Sequence, residues 1–145
     1  MSSGNDVAMR VAISSGLIGR IVAMAAGSPG HEVCGLLLGT SHHITDIASA
    51  QNVATDPARA FEVDPAVQFA AIRAARAGGL AVMGCYHSHP LGNTQPSDSD
   101  RAMIAKVGDL WLITDGVSIR AWRANTLTSF TEVRIGETTA GCVTS

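Results

Sequence analysis

The stretch Glu32-Val33-Cys34-Gly35-Leu36-Leu37-Leu38-Gly39 constrains this chain more than any other part of it. It is short, continuously apolar after its first residue and closed by glycine, which suits a strand covered on both faces. Glu32 opens that strand. The neighbouring patterns are of both kinds. Val11 to Ile13 reads as a short strand, and Ser14 or Ser15 can cap a helix whose Leu17, Ile18, Ile21, Val22 and Ala25 share one face before Gly27 and Pro29 end it. Asp64-Pro65 is a strong helix start, with Phe69, Ile72 and Ala75 as the apolar stripe and Gly78-Gly79 as the stop.

Further strands are expected over Ile44 to Asn52, Phe61 to Val63, Leu80 to Tyr86 and Phe130 to Ile135. Asp115-Gly116 is a two-residue hairpin signal between Leu110–Thr114 and Val117–Trp122. Ser97 caps a helix expected to run to about Val107. Helices interspersed with strands make an α/β protein with a mixed sheet, since the late hairpin is antiparallel while earlier strands are separated by helices. At 145 residues one domain is expected, with a flexible start over 1–10, the folded unit over 11–135 and a mobile tail over 136–145, where Thr, Gly and Ser show no periodicity.

Charge and cysteine usage narrow the classes of function. A net charge of −2 without any cluster of Lys or Arg lacks the footprint of a nucleic-acid binder. The three cysteines, Cys34, Cys85 and Cys142, form no CxxC pair, and the first two lie in apolar blocks, so a reducing, cytoplasmic setting is expected. Val11 to Gly27 imitates an export signal, but Arg20, Gly16 and Gly19 interrupt it, and an amphipathic helix is the better reading. No run approaches the roughly 20 apolar residues of a membrane span, so no membrane partner is expected.

The chemistry gathers around His87-Ser88-His89-Pro90, where the Leu80–Tyr86 strand delivers its end. The period of two sends both imidazoles to one face, where they suit one metal ion. Imidazole favours zinc, and Asp100, returned by the loop from Leu91 to Pro96, would be a third ligand. Three protein ligands leave a fourth position for a water whose pKa falls to roughly 7. A carboxylate must still take that water's proton, and Glu32 is a candidate, although spacing alone does not bring it to the metal.

Glu32, then His87-Ser88-His89-Pro90, six residues, Ser97, two residues and Asp100 resembles the signature of the JAMM or MPN-plus zinc metallopeptidases, in the small stand-alone prokaryotic form. Gly35, Gly92 and Pro96 match as well, and the similarity extends from about Val11 to Trp122. The resemblance implies one zinc ion on His87, His89 and Asp100 with a bound water as fourth ligand, Glu32 activating that water, and Ser97 stabilising the tetrahedral intermediate. It implies a single-domain cytidine-deaminase-like (JAB1/MPN) sandwich, an α/β fold with a mixed central sheet flanked by helices. The substrate it implies is a ubiquitin-like or sulfur-carrier protein cut by peptide or isopeptide hydrolysis at its C-terminal tail.

Other readings compete. Ser97-Asp98-Ser99-Asp100 is also a respectable capping box, although a cap requires neither histidine. Cys85 shares the face of His87 and His89, which suggests a thiol nucleophile, but its buried strand would raise the thiol pKa and leave Ser97 and Asp100 without a role. His31, His42 and His43 are assigned none. A catalytically silent MPN scaffold that only binds partners, and a cell-wall or phage-associated peptidase, are the alternative functions. The sequence leaves the oligomeric state open.

Overall fold

The computed structural model describes residues 10–40 and 42–138. Among them run β1 (Arg10–Ser14), α1 (Ser15–Ala26), β2 (Cys34–Thr40), β3 (His43–Ala50), α2 (Pro65–Arg76), β4 (Ala81–Ser88), α3 (Asp98–Ala102), β5 (Leu110–Thr114), β6 (Ile119–Thr126) and β7 (Ser129–Thr138). No helix among them is long and apolar enough to cross a membrane.

The sheet is mixed, as expected, but it is not the open sheet of a sandwich. It closes into a barrel in the order β1-β3-β2-β4-β5-β6-β7. Closure comes from β7, which continues past the expected end at Ile135 and lies parallel to β1, pairing Arg10 with Arg134 and onward to Ser14 with Thr138. Arg10 and Gly136–Thr138, expected at the edges of flexible ends, are therefore strand residues; the remainder of those two segments lies outside the described residues. The physical gain is that neither β1 nor β7 keeps an unpaired edge.

The strand expected to be covered on both faces is so covered. Leu37 packs with Val11, Ile13, Ile21, Ile44, Tyr86, Leu110 and Leu112 in the main core, while Cys34 faces a second cluster with Phe61, Ile104, Trp111 and Ala124. Ser14 caps α1, its hydroxyl accepting from the Leu17 amide at 3.2 Å, and the helix lays Ile21 and Ala25 into the core. Gly35 is required by close packing, because a Cβ there would collide with the ring of the fully buried Tyr86.

Four expectations fail locally. The helix after Ser97 stops at Ala102 instead of near Val107, because Ile104 turns in to join the second cluster. The Asp115-Gly116 hairpin opens into a longer loop in which Asp115 Oδ1 accepts from the amides of Val117 and Ser118. Phe61–Val63 is reduced to a single bridge between Val63 and Asn52. The stripe on α2 is not a core face: no residue of α2 is buried, and Phe69 is 64% exposed.

Candidate metal centre and catalytic pocket

Strand β4 carries His87 at its end with no exposed surface, and the chain turns out of the sheet at Pro90. His87 is held as a plate between aromatics. Phe61 stacks on it at 4.2 Å between ring centroids, and Trp111 meets it edge-on at 5.5 Å. His89 follows outside the strand, where its amide donates to Thr114 O at 2.8 Å and its Nδ1 faces Asn93 O at 3.2 Å. With acceptors on that side, Nδ1 carries the proton and Nε2 turns its lone pair inward.

Asp100 is delivered by α3. Ser97 caps this helix with a complete capping box, its Oγ accepting from the Asp100 amide at 3.0 Å and its own amide donating to Asp100 Oδ2 at 2.9 Å. The same carboxylate lies 3.1 Å from His87 Nε2 through Oδ1 and 3.0 Å from His89 Nε2 through Oδ2, and the two Nε2 atoms are 3.1 Å apart. Two imidazole nitrogens and two carboxylate oxygens thus converge on one point. Such crowding is unfavourable unless a proton or a cation lies among them.

The donor set fits zinc or a similar divalent ion. Tetrahedral ligands at about 2.0–2.1 Å from zinc stand about 3.4 Å from one another, only slightly wider than the spacings here. Glu32 stands beside this point: a ligand atom from each of Glu32, His87 and His89 falls within 4.8 Å of the others. Glu32 precedes β2 instead of opening it, and it is 4% exposed, with Oε1 buried and without a hydrogen-bond partner. His87 Nδ1 is the other orphaned atom of the site.

The local field sets the charges. Burial pushes the Glu32 carboxyl up to about 7, with His89 pulling back and Asp100 adding to the rise. Burial would also raise Asp100, but its contacts with His87, His89 and the Ser97 amide outweigh that and hold it well below the usual carboxylate range. Burial lowers His87 despite Asp100, whereas for His89 burial is outweighed by Asp100 and Glu32, and its pKa rises.

The site opens on one side into a cavity of about 280 Å³ lined by Glu32, His89, Ser97, Arg59 and the loop from Pro90 to Pro96. All five positions singled out by the sequence are therefore gathered, and His31, His42 and His43 are not members of the cluster. Cys85 lies against the second apolar cluster, where burial drives its thiol pKa well above the ordinary value, as expected of an unreactive thiol.

The sequence reading passed over the supports. Ser88, between the histidines, locks β4 to the residue next to Glu32: its Oγ accepts from the Val33 amide at 2.8 Å and its own amide donates to Val33 O at 3.0 Å. Asn52 donates through Nδ2 to Glu32 O at 2.9 Å and to Ala60 O at 3.0 Å, and accepts from the amides of Ala54 and Glu62. Trp122 anchors the loop through Nε1 to Thr94 O at 2.9 Å. Asn52 was read only as the end of the strand expected over Ile44 to Asn52, and Phe61 only as the start of a short one.

A family model described as prokaryotic homologues of the JAB domain matches residues 14–125. A desampylase of Haloferax volcanii is 40% identical over 91 residues, covering 61% of this chain and 66% of that protein, just under two thirds of its length. A desampylase of Pyrococcus furiosus is 28% identical over 117 residues, covering 80% of this chain and 83% of that protein. Among solved structures, a Desulfitobacterium hafniense protein aligns with a TM-score of 0.75 at 21% identity, covering 88% of this chain and 92% of its own. A JAB1/MPN domain protein of Archaeoglobus fulgidus aligns with a TM-score of 0.59 at 20% identity, covering 88% and 98%. At these identities the structural likeness is one of fold.

Proposed function

This chain belongs to the family of prokaryotic homologues of the JAB domain, and on that basis we propose that it is a zinc-dependent peptidase or isopeptidase acting at the C-terminal tail of a ubiquitin-like or sulfur-carrier protein. The observation that carries the reading is the convergence of His87, His89 and Asp100 on one point, with Glu32 beside it and an open cavity in front. The two relatives named desampylase support a modifier protein as substrate. The unpaired Cys34 and Cys85 suit a reducing cytoplasm.

His87, His89 and Asp100 would hold the ion, each fixed by a neighbour: Phe61 for His87, Asn93 for His89 and the Ser97 amide for Asp100. Zinc, when bound in an open site, lowers the pKa of water and polarises a carbonyl. Glu32 takes the proton of the attacking water and hands it to the departing amine, a task for which its carboxylate, beside the point where the ligands converge, is placed. The Ser97 hydroxyl accepts from the Asp100 amide, which leaves its own proton to be donated to the oxyanion.

Trimming of carriers tests this. Zinc-loaded protein is incubated with ubiquitin-like and sulfur-carrier proteins extended by cysteine, by a short peptide or by an isopeptide-linked lysine, and intact mass is recorded. Cleavage just after the tail, lost in Glu32→Gln, is the expected result. Survival of every carrier with zinc bound would favour a partner-binding scaffold, a reading that leaves the gathered Glu32, Ser97 and ligand set unexplained.

A further inference from the structure

The loop between His89 and Asp100 joins two of the proposed ligands, so its place on the barrel bears on both. Within the loop, the Gly92 amide donates to His89 O at 3.0 Å and the Gln95 amide donates to Asn93 Oδ1 at 2.9 Å. These turns give the loop a shape without tying it to the sheet, and Leu91, Gly92, Asn93 and Gln95 are all exposed. Among the described residues, the only hydrogen bond from residues 90–96 to a strand is the one in which Trp122 Nε1 donates to Thr94 O, at 2.9 Å. It lands on the buried part of the loop, since Thr94 is 8% exposed.

Trp122 is itself well held. It stands on β6 directly opposite Trp111 of β5, so the two indoles share a face of the sheet. Trp111 meets His87 edge-on, and Trp122 packs against the same apolar cluster. An indole N–H only donates, and a half-buried one needs an acceptor. Strand β6 thus presents to the loop one directional donor on a ring that packing keeps in place.

The carbonyl that Trp122 holds is next in the chain to the one that faces His89. Asn93 O lies 3.2 Å from His89 Nδ1, with Asn93 Oδ1 at 3.4 Å. The two histidines are aimed by different means. His87 is fixed by packing between Phe61 and Trp111. His89 lies beyond the end of β4, and among the described residues its only aromatic neighbour is His87. Its ring is therefore oriented by the hydrogen bond at Nδ1, the usual means of aiming a metal-binding imidazole. A shift of the loop by about 1 Å would carry the 3.2 Å contact out of hydrogen-bonding range.

We propose that Trp122 is a positioning residue of the metal centre: through Thr94 O it fixes the loop so that the Asn93 carbonyl holds His89 Nδ1 and keeps Nε2 aimed at the ion. The inference rests on the metal-site reading above and adds to it a residue that touches neither ion nor substrate. Loss of the indole donor leaves every ligand present but lets His89 turn, and the ion departs more readily.

Trp122→Phe keeps an aromatic ring and removes the donor. Zinc affinity is measured by competition with a chromophoric chelator for the full chain as wild type, Trp122→Phe, Asn93→Ala and the double variant. The Kd of Trp122→Phe should rise about tenfold, the lower end of what losing an outer hydrogen bond to a metal ligand does. Asn93→Ala, which frees the Gln95 amide and loosens the same turn, should weaken zinc too, and the double variant should weaken it by less than the product of the two factors. A residue that served stability alone would lower the urea midpoint of the zinc-free protein and leave the Kd unchanged. An unchanged Kd in Trp122→Phe, or factors that simply multiply, overturns the proposal. A second measurement needs no variant: by reciprocity, zinc should slow hydrogen exchange at the wild-type Trp122 indole N–H about tenfold, and an unchanged rate overturns the proposal as well. If the wild type binds no zinc, the metal-site reading falls and this inference with it; if it binds zinc and Trp122→Phe binds it equally, only the role of Trp122 falls.

Discussion

Replacing Glu32 by glutamine in the zinc-free protein should stabilise the fold increasingly as the pH rises. Burial raises the carboxyl from 4.5 to about 7, so the folded state holds a proton that the unfolded chain has released. The wild type therefore has its full stability, as far as this group is concerned, below pH 4.5, and loses it as the pH rises through about 7. At about 1.4 kcal/mol for each pH unit of that gap, the ceiling on the loss is about 3 kcal/mol. Water reaching the cavity side of the carboxylate reduces this to about 1–2 kcal/mol. Glutamine has nearly the same shape and does not titrate, and any cost of burying its amide is the same at every pH. Urea denaturation of both proteins in chelator at pH 5 and pH 8 isolates the titration: relative to wild type, the variant should gain about 1–2 kcal/mol between the two. A difference that does not change with pH would refute the account of Glu32 as a carboxyl strained by burial.

Three further outcomes follow from the same geometry. Gly35→Ala should destabilise by about 1–3 kcal/mol in urea denaturation, since its Cβ would collide with a Tyr86 ring that has no room to move. Asn52→Ala removes the bridge between Glu32, Ala60 and Glu62 and should cost about 1–3 kcal/mol in stability; kcat should fall more than KM rises, since the base loses its seat. Zinc at a hundredfold excess over its Kd should add about 2.7 kcal/mol to wild-type stability, reversibly with chelator. Asp100→Asn should lose most of that gain and the one-to-one zinc stoichiometry measured by native mass.

The parts of the molecule that were legible in the sequence are those in which a local pattern has only one use. An apolar run closed by glycine had to become a strand covered on both faces, and Cys34 and Leu37 do face separate clusters. Asp64-Pro65 had to start a helix, and Asp64 accepts from the Ala66 amide at 3.0 Å. Two histidines two apart were expected to face alike, and their Nε2 atoms do meet, although His89 lies beyond the end of β4 and is aimed by the turn. The apolar stripe of α2 misled because hydrophobic spacing reports a face without saying that anything covers it. Barrel closure was illegible because it depends on β7 reaching β1 across more than a hundred residues, which no local pattern encodes. Phe61 was read as part of a strand because nothing in Phe61-Glu62-Val63 signals that its ring will lie flat on His87.

Under the proposed mechanism the two readings of Ser97 describe one device. As a cap alone it would satisfy two amides of a five-residue helix that buries only Asp100, a large investment for so short an element. As part of the centre, the cap has a different consequence. The Ser97 amide holds Asp100 Oδ2, the same oxygen that meets His89 Nε2, while the Asp100 amide binds the Ser97 hydroxyl oxygen and so turns its proton outward. The capping box therefore orients the Asp100 carboxylate and the Ser97 hydroxyl by a single pair of hydrogen bonds, which under the proposed mechanism are a ligand and the oxyanion donor. This explains why the helix can stop at Ala102: once Asp100 has been returned to the histidines, further turns would only keep Ile104 from the cluster behind Trp111 that supports His87 from the other side.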